Sequence, residues 1–291
     1  MQHLGQMLAN GLAMGCIYAL VALGFVLVYR AVAVINFAQG EFVMISAFFG
    51  VMAATLLRLP LALSYFVVFL AMAAFGFIIQ RLTYYPLRGK PHLTVVICTV
   101  GLHIVLKNGA RLLWGPYPLS FPSFFRREPM EVMGILIVPQ TLFIIGVTGS
   151  LFFLFYLFFK KTMMGYMMQA TAQDPEAARL MGIRVDRIIA LTFVLNSLLA
   201  GAAGLLLGPI FLVTTDMGGA VLIKAFCATI IGGFGSVPGA VVGGVFLGIV
   251  EILAAGYVST FFKDGLAFGV IILILLLAPQ GIFGEKVAER A

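Results

Sequence analysis

Apolar residues run through this 291-residue chain in long blocks separated by short polar connections, and the blocks have the length of membrane spans. Runs of roughly 17–25 residues fall at about 7–29, 41–58, 61–81, 93–112, 135–159, 188–210, 219–235, 237–257 and 264–280. Thr214 to Gly235 is polar and glycine-rich enough for a re-entrant element. The pattern therefore predicts an all-α fold: one polytopic transmembrane helical bundle over residues 1–291, with eight or nine spans and broken or re-entrant segments.

One stretch departs from this pattern. Lys160 to Arg187 carries eight of the 29 charged residues in 28 positions, while the sequence on either side is almost free of charge. Inside it, Asp174 can cap a helix, Pro175 fits the first helical position, and Glu176 places negative charge near the positive end of the helix dipole. Gly182 supplies the left-handed residue that ends many helices, so a helix of about two turns is predicted from Pro175 to Met181. A helix that short is marginal alone and needs something to pack against. The segment reads as a docking surface.

Composition changes the picture only by sharpening it. Hydrophobic residues make up 62% and charged residues 10%, against about a quarter charged in soluble domains, so a soluble protein is excluded. Met1 to Gln6 lacks the basic region of a cleavable signal, and the first apolar run is expected to stay as a span. Cys16, Cys98 and Cys227 each sit in an apolar run without paired spacing, which points away from disulfides and metal sites. The net charge of +7 reflects basic residues scattered over loop ends, which indicates membrane topology rather than nucleic acid.

Orientation follows from those basic residues. If the 160–187 island is cytoplasmic, alternation of nine spans puts Arg30, Arg81, Arg88, Lys90, Lys286 and Arg290 on the same side. That gives eleven Lys or Arg inside against five outside (Arg58, Arg111, Arg126, Arg127, Lys263), with Lys107 and Lys224 at membrane depth. Trp114 to Met133 then becomes the main external loop, and the C-terminus is cytoplasmic.

Glycines at four-residue spacing, Gly11 with Gly15, Gly204 with Gly208, Gly235 with Gly239 and Gly243, and Gly244 with Gly248, predict flat faces for close helix contact. The run from Gly232 to Gly239 predicts a helix break at Gly233, Gly235, Pro238 and Gly239. The polar interruption Ile35 to Glu41 reads either as a surface turn or as part of a translocation pathway, with Asn36, Gln39 and Glu41 as its side chains. Lys224 and Glu251 are deeper, and two readings stand: neutralisation across neighbouring helices, or lining of the pathway. Asn108, Lys107, Arg111 and Asn196 are read as interfacial or helix-capping. His103 has no second histidine or carboxylate at ligand spacing, so no metal site is expected. No nucleophile motif, metal-protease motif or phosphate loop occurs, so neither catalysis nor ATP hydrolysis by this chain is predicted.

Six stretches together resemble one family, the membrane permease subunits of branched-chain amino-acid ABC importers, LivH type. They are Gly11 to Leu20, Val34 to Glu41, Asn108 to Gly115, Ala172 to Ile183, Ile231 to Ala240 and Pro279 to Gly284, in that order over nearly the whole chain. The family often carries histidine where this chain has Gln39, which leaves the permease reading intact and substrate identity open; related permeases carry urea, and more distant ones sugars. The resemblance implies an inner-membrane importer subunit that pairs with a second homologous permease and two cytoplasmic ATPase subunits. ATP and magnesium are held by those ATPases, no cofactor is held by this chain, and a periplasmic binding protein delivers the substrate. Asp174, Pro175, Glu176, Ala177, Ala178, Arg179, Leu180, Met181 and Gly182 then resemble the coupling helix seated in the ATPase. A branched-chain or hydrophobic amino acid is the expected substrate, and urea or another small polar solute the alternative. From a different class, an ATP-independent secondary transporter or channel would use Lys224 and Glu251 as an ion-coupling pair.

Overall fold

The computed structural model describes residues 2–125, 128–132, 135–259, 262–278 and 280–283. Arg126, Arg127, Met133, Pro279, Gly284, Lys286 and Arg290, and with the last two the side taken by the C-terminus, lie outside the described residues.

All nine apolar runs are helical. Helix α1 (Gln2–Val32) is followed by α2 (Gln39–Val51), which widens into a π turn at Met52–Leu56, and by α3 (Leu61–Ile79), which does the same at Gln80–Tyr84 before the single turn α4 (Tyr85–Leu87). Then come α5 (His92–Trp114), α6 (Pro139–Lys161), α7 (Met163–Gln173), α8 (Pro175–Leu180), α9 (Val185–Leu207), α10 (Met217–Gly232), α11 (Val237–Tyr257) and α12 (Lys263–Leu277). Among the described residues seven helices are long and apolar enough to cross a membrane, whereas α10 has 16 residues and α12 has 15. At about 1.5 Å per residue, α10 falls short of a bilayer core of about 30 Å.

One boundary differs from the hydropathy pattern. The fifth apolar run begins at 135, but Ile135–Ile137 forms strand β2, antiparallel to β1 (Met130–Val132), with Met130 opposite Ile137. Helix starts only at Pro139, because proline suits the first helical position and forces Val138 before it into extended backbone. Hydropathy registers a run of Ile and Leu without distinguishing strand from helix.

The centre of the bundle is α1, which packs between α9, α10 and α11. The glycine faces explain how. A Cβ added at Gly15 would reach to 2.6 Å from the Val245 Cα, one at Gly11 to 2.9 Å from the Ile249 Cα, and one at Gly244 to 2.5 Å from the Ala19 Cα. Gly11 and Gly15 of α1 therefore lock against Gly244 and Gly248 of α11 with backbone on backbone, the arrangement that drives helix association where no hydrophobic exclusion operates. Gly204 of α9 does the same against Val43 and Ser46 of α2, and Gly243 of α11 against Ala228 of α10.

The ends of the bundle are set by chemistry as much as by packing. At one end Arg88 donates to Asp186 at 2.6 Å, and Val28, Ala178, Val185, Ile189 and Phe193 form a small apolar cluster with Tyr84 and Ile183 against it. The charged island thus shares an end with Arg30 and Arg88. At the other end the loop after α5 pairs with the loop before α10 through Leu119 and Val213, and Phe121 is buried over Gly50 and Gly208.

Candidate functional site

The segment from Asp174 to Gly182 folds as its residues dictate. The Asp174 carboxylate accepts from the backbone N–H groups of Glu176 (2.9 Å) and Ala177 (3.0 Å), Pro175 takes the first helical position, and Gly182 closes the helix at φ +83°. Ala178 is buried against the bundle, whereas Leu180 and Met181 are 89% and 83% exposed. Two large apolar side chains held outward on a capped helix form an exposed contact surface with no partner among the described residues. Helix α8 follows α7, which turns off α6 at an elbow where the Thr162 hydroxyl accepts from the Gly165 N–H and Gly165 lies against the Phe158–Phe159 backbone.

The five side chains expected along a pathway fall into separate buried groups. Gln39 and Asn196 exchange two amide hydrogen bonds, Nε2 to Oδ1 at 2.7 Å and Nδ2 to Oε1 at 2.8 Å, between the start of α2 and the middle of α9. Gly24 of α1 leaves room for this pair, since a Cβ there would strike it. Asn196 is therefore neither interfacial nor a helix cap: it is fully buried and pairs across the bundle, where two apolar runs gave no sign of the contact. Asn36 turns the chain instead, its Oδ1 accepting from the Ala38 N–H at 3.1 Å, and its Nδ2 is buried beside a space of about 10 Å³.

Glu41 is fully buried, its carboxylate resting where Gly218 has no side chain. His103 Nδ1 lies 3.0 Å from Glu41 Oε1, out of line for a hydrogen bond. His103 has no carboxylate at ligand spacing within its own span; the one beside it comes from 62 residues away, through the packing of α2 on α5, which spacing within one span does not reveal. Among the described residues no group of three or more His, Cys, Asp or Glu is placed to hold a metal.

Lys224 and Glu251 do meet. The Lys224 ammonium donates to Glu251 Oε1, the Tyr18 hydroxyl donates to Glu251 Oε2 at 2.8 Å, and Lys224 also reaches the Tyr18 oxygen at 3.3 Å. Three helices, α1, α10 and α11, thus share one buried charge pair, as charged groups at membrane depth require. Tyr18 carried no signal in sequence beyond its place in an apolar run. Nearer the surface, Lys107 and Arg111 of α5 both contact Asp216, at 2.7 and 3.0 Å. The Lys107 hydrogen bond, with the Arg111 guanidinium beside it, holds the Asp216 carboxyl below its ordinary range. Asn108 is neither cap nor partner here and bonds back to the Ile104 carbonyl.

The helix break is made by Gly233 and Gly235, at φ +102° and +92°; Pro238 and Gly239 belong to the first turn of α11, which Ser236 caps. Its carbonyls are met from far along the chain: Ile282 N–H donates to the Ile231 oxygen and Phe283 N–H to the Gly232 oxygen, both at 2.9 Å. Two of the six family stretches therefore dock on one another. An open cleft of about 700 Å³ lies beside α6, and none of the five expected pathway residues lines it.

Comparison with known proteins agrees with this architecture. The chain is 36% identical to the high-affinity branched-chain amino acid transport system permease protein BraD of Pseudomonas aeruginosa, over 99% of this chain and 98% of that one. It is 35% identical to the corresponding permease protein LivH of Escherichia coli, over 98% and 97%. A solved structure, PsaBC from Streptococcus pneumoniae in complex with Fab, shares the fold with a TM-score of 0.50 and 17% identity, covering 94% of this chain and 92% of that one. BraD and LivH are transport permeases and not enzymes, and this chain is an integral membrane protein of the same kind. With the model of the branched-chain amino acid transport system permease component matching residues 7–276, and relatives over a third identical along its whole length, the chain belongs to that permease family.

Proposed function

We propose that this chain is one membrane-spanning half of an ATP-driven importer in a bacterial inner membrane, passing branched-chain or other hydrophobic amino acids received from a periplasmic binding protein. It pairs with a second homologous permease, and two ATPase subunits, which hold the ATP and magnesium, dock at the 160–187 end; this chain itself binds no cofactor. That end, with the C-terminus, faces the cytoplasm, in line with the basic residues it gathers. The observation that carries the reading is α8: capped at both ends, anchored by Ala178 and presenting Leu180 and Met181 outward. Closure of the ATPases presses on this helix and moves α7 and α9, which adjoin it in the chain, and α6 through α7.

The helix contributes stiffness and shape, with no group for chemistry. The test is Asp174→Ala and Gly182→Val in the complete complex reconstituted in vesicles. Both are expected to lower ATP-dependent leucine uptake and weaken ATPase co-purification; unchanged behaviour of both variants overturns the coupling role. Uptake of urea in place of leucine reassigns the substrate. Uptake without the ATPases favours an ATP-independent carrier built on the Lys224–Glu251 pair.

A further inference from the structure

We propose that the cleft beside α6 is a binding site for an anionic phospholipid of the surrounding membrane, and that its occupancy steadies the α6–α7 elbow. The cleft has a volume of about 700 Å³, within the range of small-molecule sites. Leu23 and Leu27 of α1, Phe152 and Phe155 of α6 and Val241 and Val242 of α11 wall its apolar depth. Arg30 and Lys160, at the ends of α1 and α6, stand at one end of it with Gln169. From Arg30 back to Leu23, or from Lys160 back to Phe152, is two helical turns, about 11 Å. The cations therefore sit at headgroup level, with an acyl-sized chamber beneath them.

Charge decides the occupant. Among the described residues Arg30 and Lys160 line the cleft, and no Asp or Glu does. A zwitterionic amino acid would leave its ammonium unmatched, whereas a phosphodiester with acyl chains satisfies both cations and the aromatic walls; basic pockets between spans bind anionic headgroups in this way. The cleft is also accessible from lipid, since only 11% of the α6 span is buried within this chain. Met168, Gln169 and Ala172 of α7 complete the wall, so an occupant props the helix that leads directly into Asp174.

The experiment reconstitutes the whole complex in nanodiscs of equal phosphatidylglycerol and phosphatidylcholine and reads retained lipid by native mass spectrometry. Phosphatidylglycerol is expected to be enriched on the wild type. Retention is expected to fall about fivefold for each cation removed in Arg30→Gln and Lys160→Gln, and to fall also in Val242→Trp, which fills the chamber. Arg30 and Lys160 are exposed, so their variants keep the test sound even if the tryptophan variant fails to fold. Equal retention in the charge variants overturns the site. So does displacement of phosphatidylglycerol by leucine, or efficient disulfide cross-linking of the partner permease to a cysteine at Phe155, which would show that protein covers the cleft.

Discussion

Helices α1 and α6 are comparably apolar and both long enough to span, yet 89% of the α1 span is buried inside the chain and only 11% of the α6 span. The difference lies in what interrupts the apolar run. Gly11, Gly15, Tyr18 and Gly24 give α1 places for a neighbouring backbone, a carboxylate and an amide pair. The α6 glycines, Gly146 and Gly149, would meet nothing with an added Cβ, and Phe152, Phe155, Tyr156 and Phe159 line the cleft while Phe153 faces outward. In a membrane, apolarity places a helix in the bilayer, and small and polar residues choose its neighbours.

The largest effect should come from exchanging one glycine for leucine in each helix. Gly15→Leu drives a side chain into the α11 backbone, which cannot yield as a side chain would, and complete loss of the folded protein in detergent is expected, read by size-exclusion chromatography and thermal unfolding. Gly149→Leu in α6 should leave both unchanged. Equal damage would break the comparison.

Next in size is the pair held by α1, α10 and α11. Lys224→Met leaves the Glu251 carboxylate buried beside Tyr18, for an expected loss of about 3–5 kcal/mol, whereas Lys224→Met with Glu251→Met should recover most of it. Denaturation of the two variants side by side measures this, and a double variant no better than the single would show that the carboxylate has another task. Smaller again is the Gln39–Asn196 pair, where a double-mutant cycle with alanine should give a coupling of about 0.6–1.7 kcal/mol.

The smallest effect lies at the exposed Asp216. Its carboxyl is held below the ordinary value in the folded chain, so its contribution is present above the unfolded pKa of about 3.9 and disappears as pH falls through the folded value. Thermal unfolding from pH 5 to pH 3 should show a shallower acid slope in Asp216→Asn, by less than about 1 kcal/mol because the pair is exposed. A steeper slope would place the acid sensitivity in the buried groups instead.

The residues of α8 could be read one by one because a helix cap, an N1 proline and a terminating glycine act within a few positions of each other. The apolar runs and the Gly233–Gly235 break were legible from equally local signals, whereas the span count was not: eight or nine were expected, and among the described residues seven helices are long and apolar enough to cross. The buried polar groups were only half legible: Glu41, Lys224 and Glu251 stood out as charges in apolar runs, while Tyr18, Asn196 and His103 did not, since their partners come from other helices. The docking of Ile282 and Phe283 on the end of α10 was equally invisible, because a backbone hydrogen bond leaves no trace in side-chain identity.

By itself, then, the amino-acid order determined that this chain lies in a membrane, which stretches form its long apolar helices, and that one charged segment carries a capped helix. Each of these depends on interactions within about one turn or on transfer of a local segment from water to lipid. Only tertiary structure decided that α1 is the centre and α6 the rim, that Glu251 neutralises Lys224 with Tyr18 as third member, and that a basic-mouthed cleft opens beside α6. Those depend on which small-residue faces meet at backbone distance, a choice made between helices and therefore not written in any one of them.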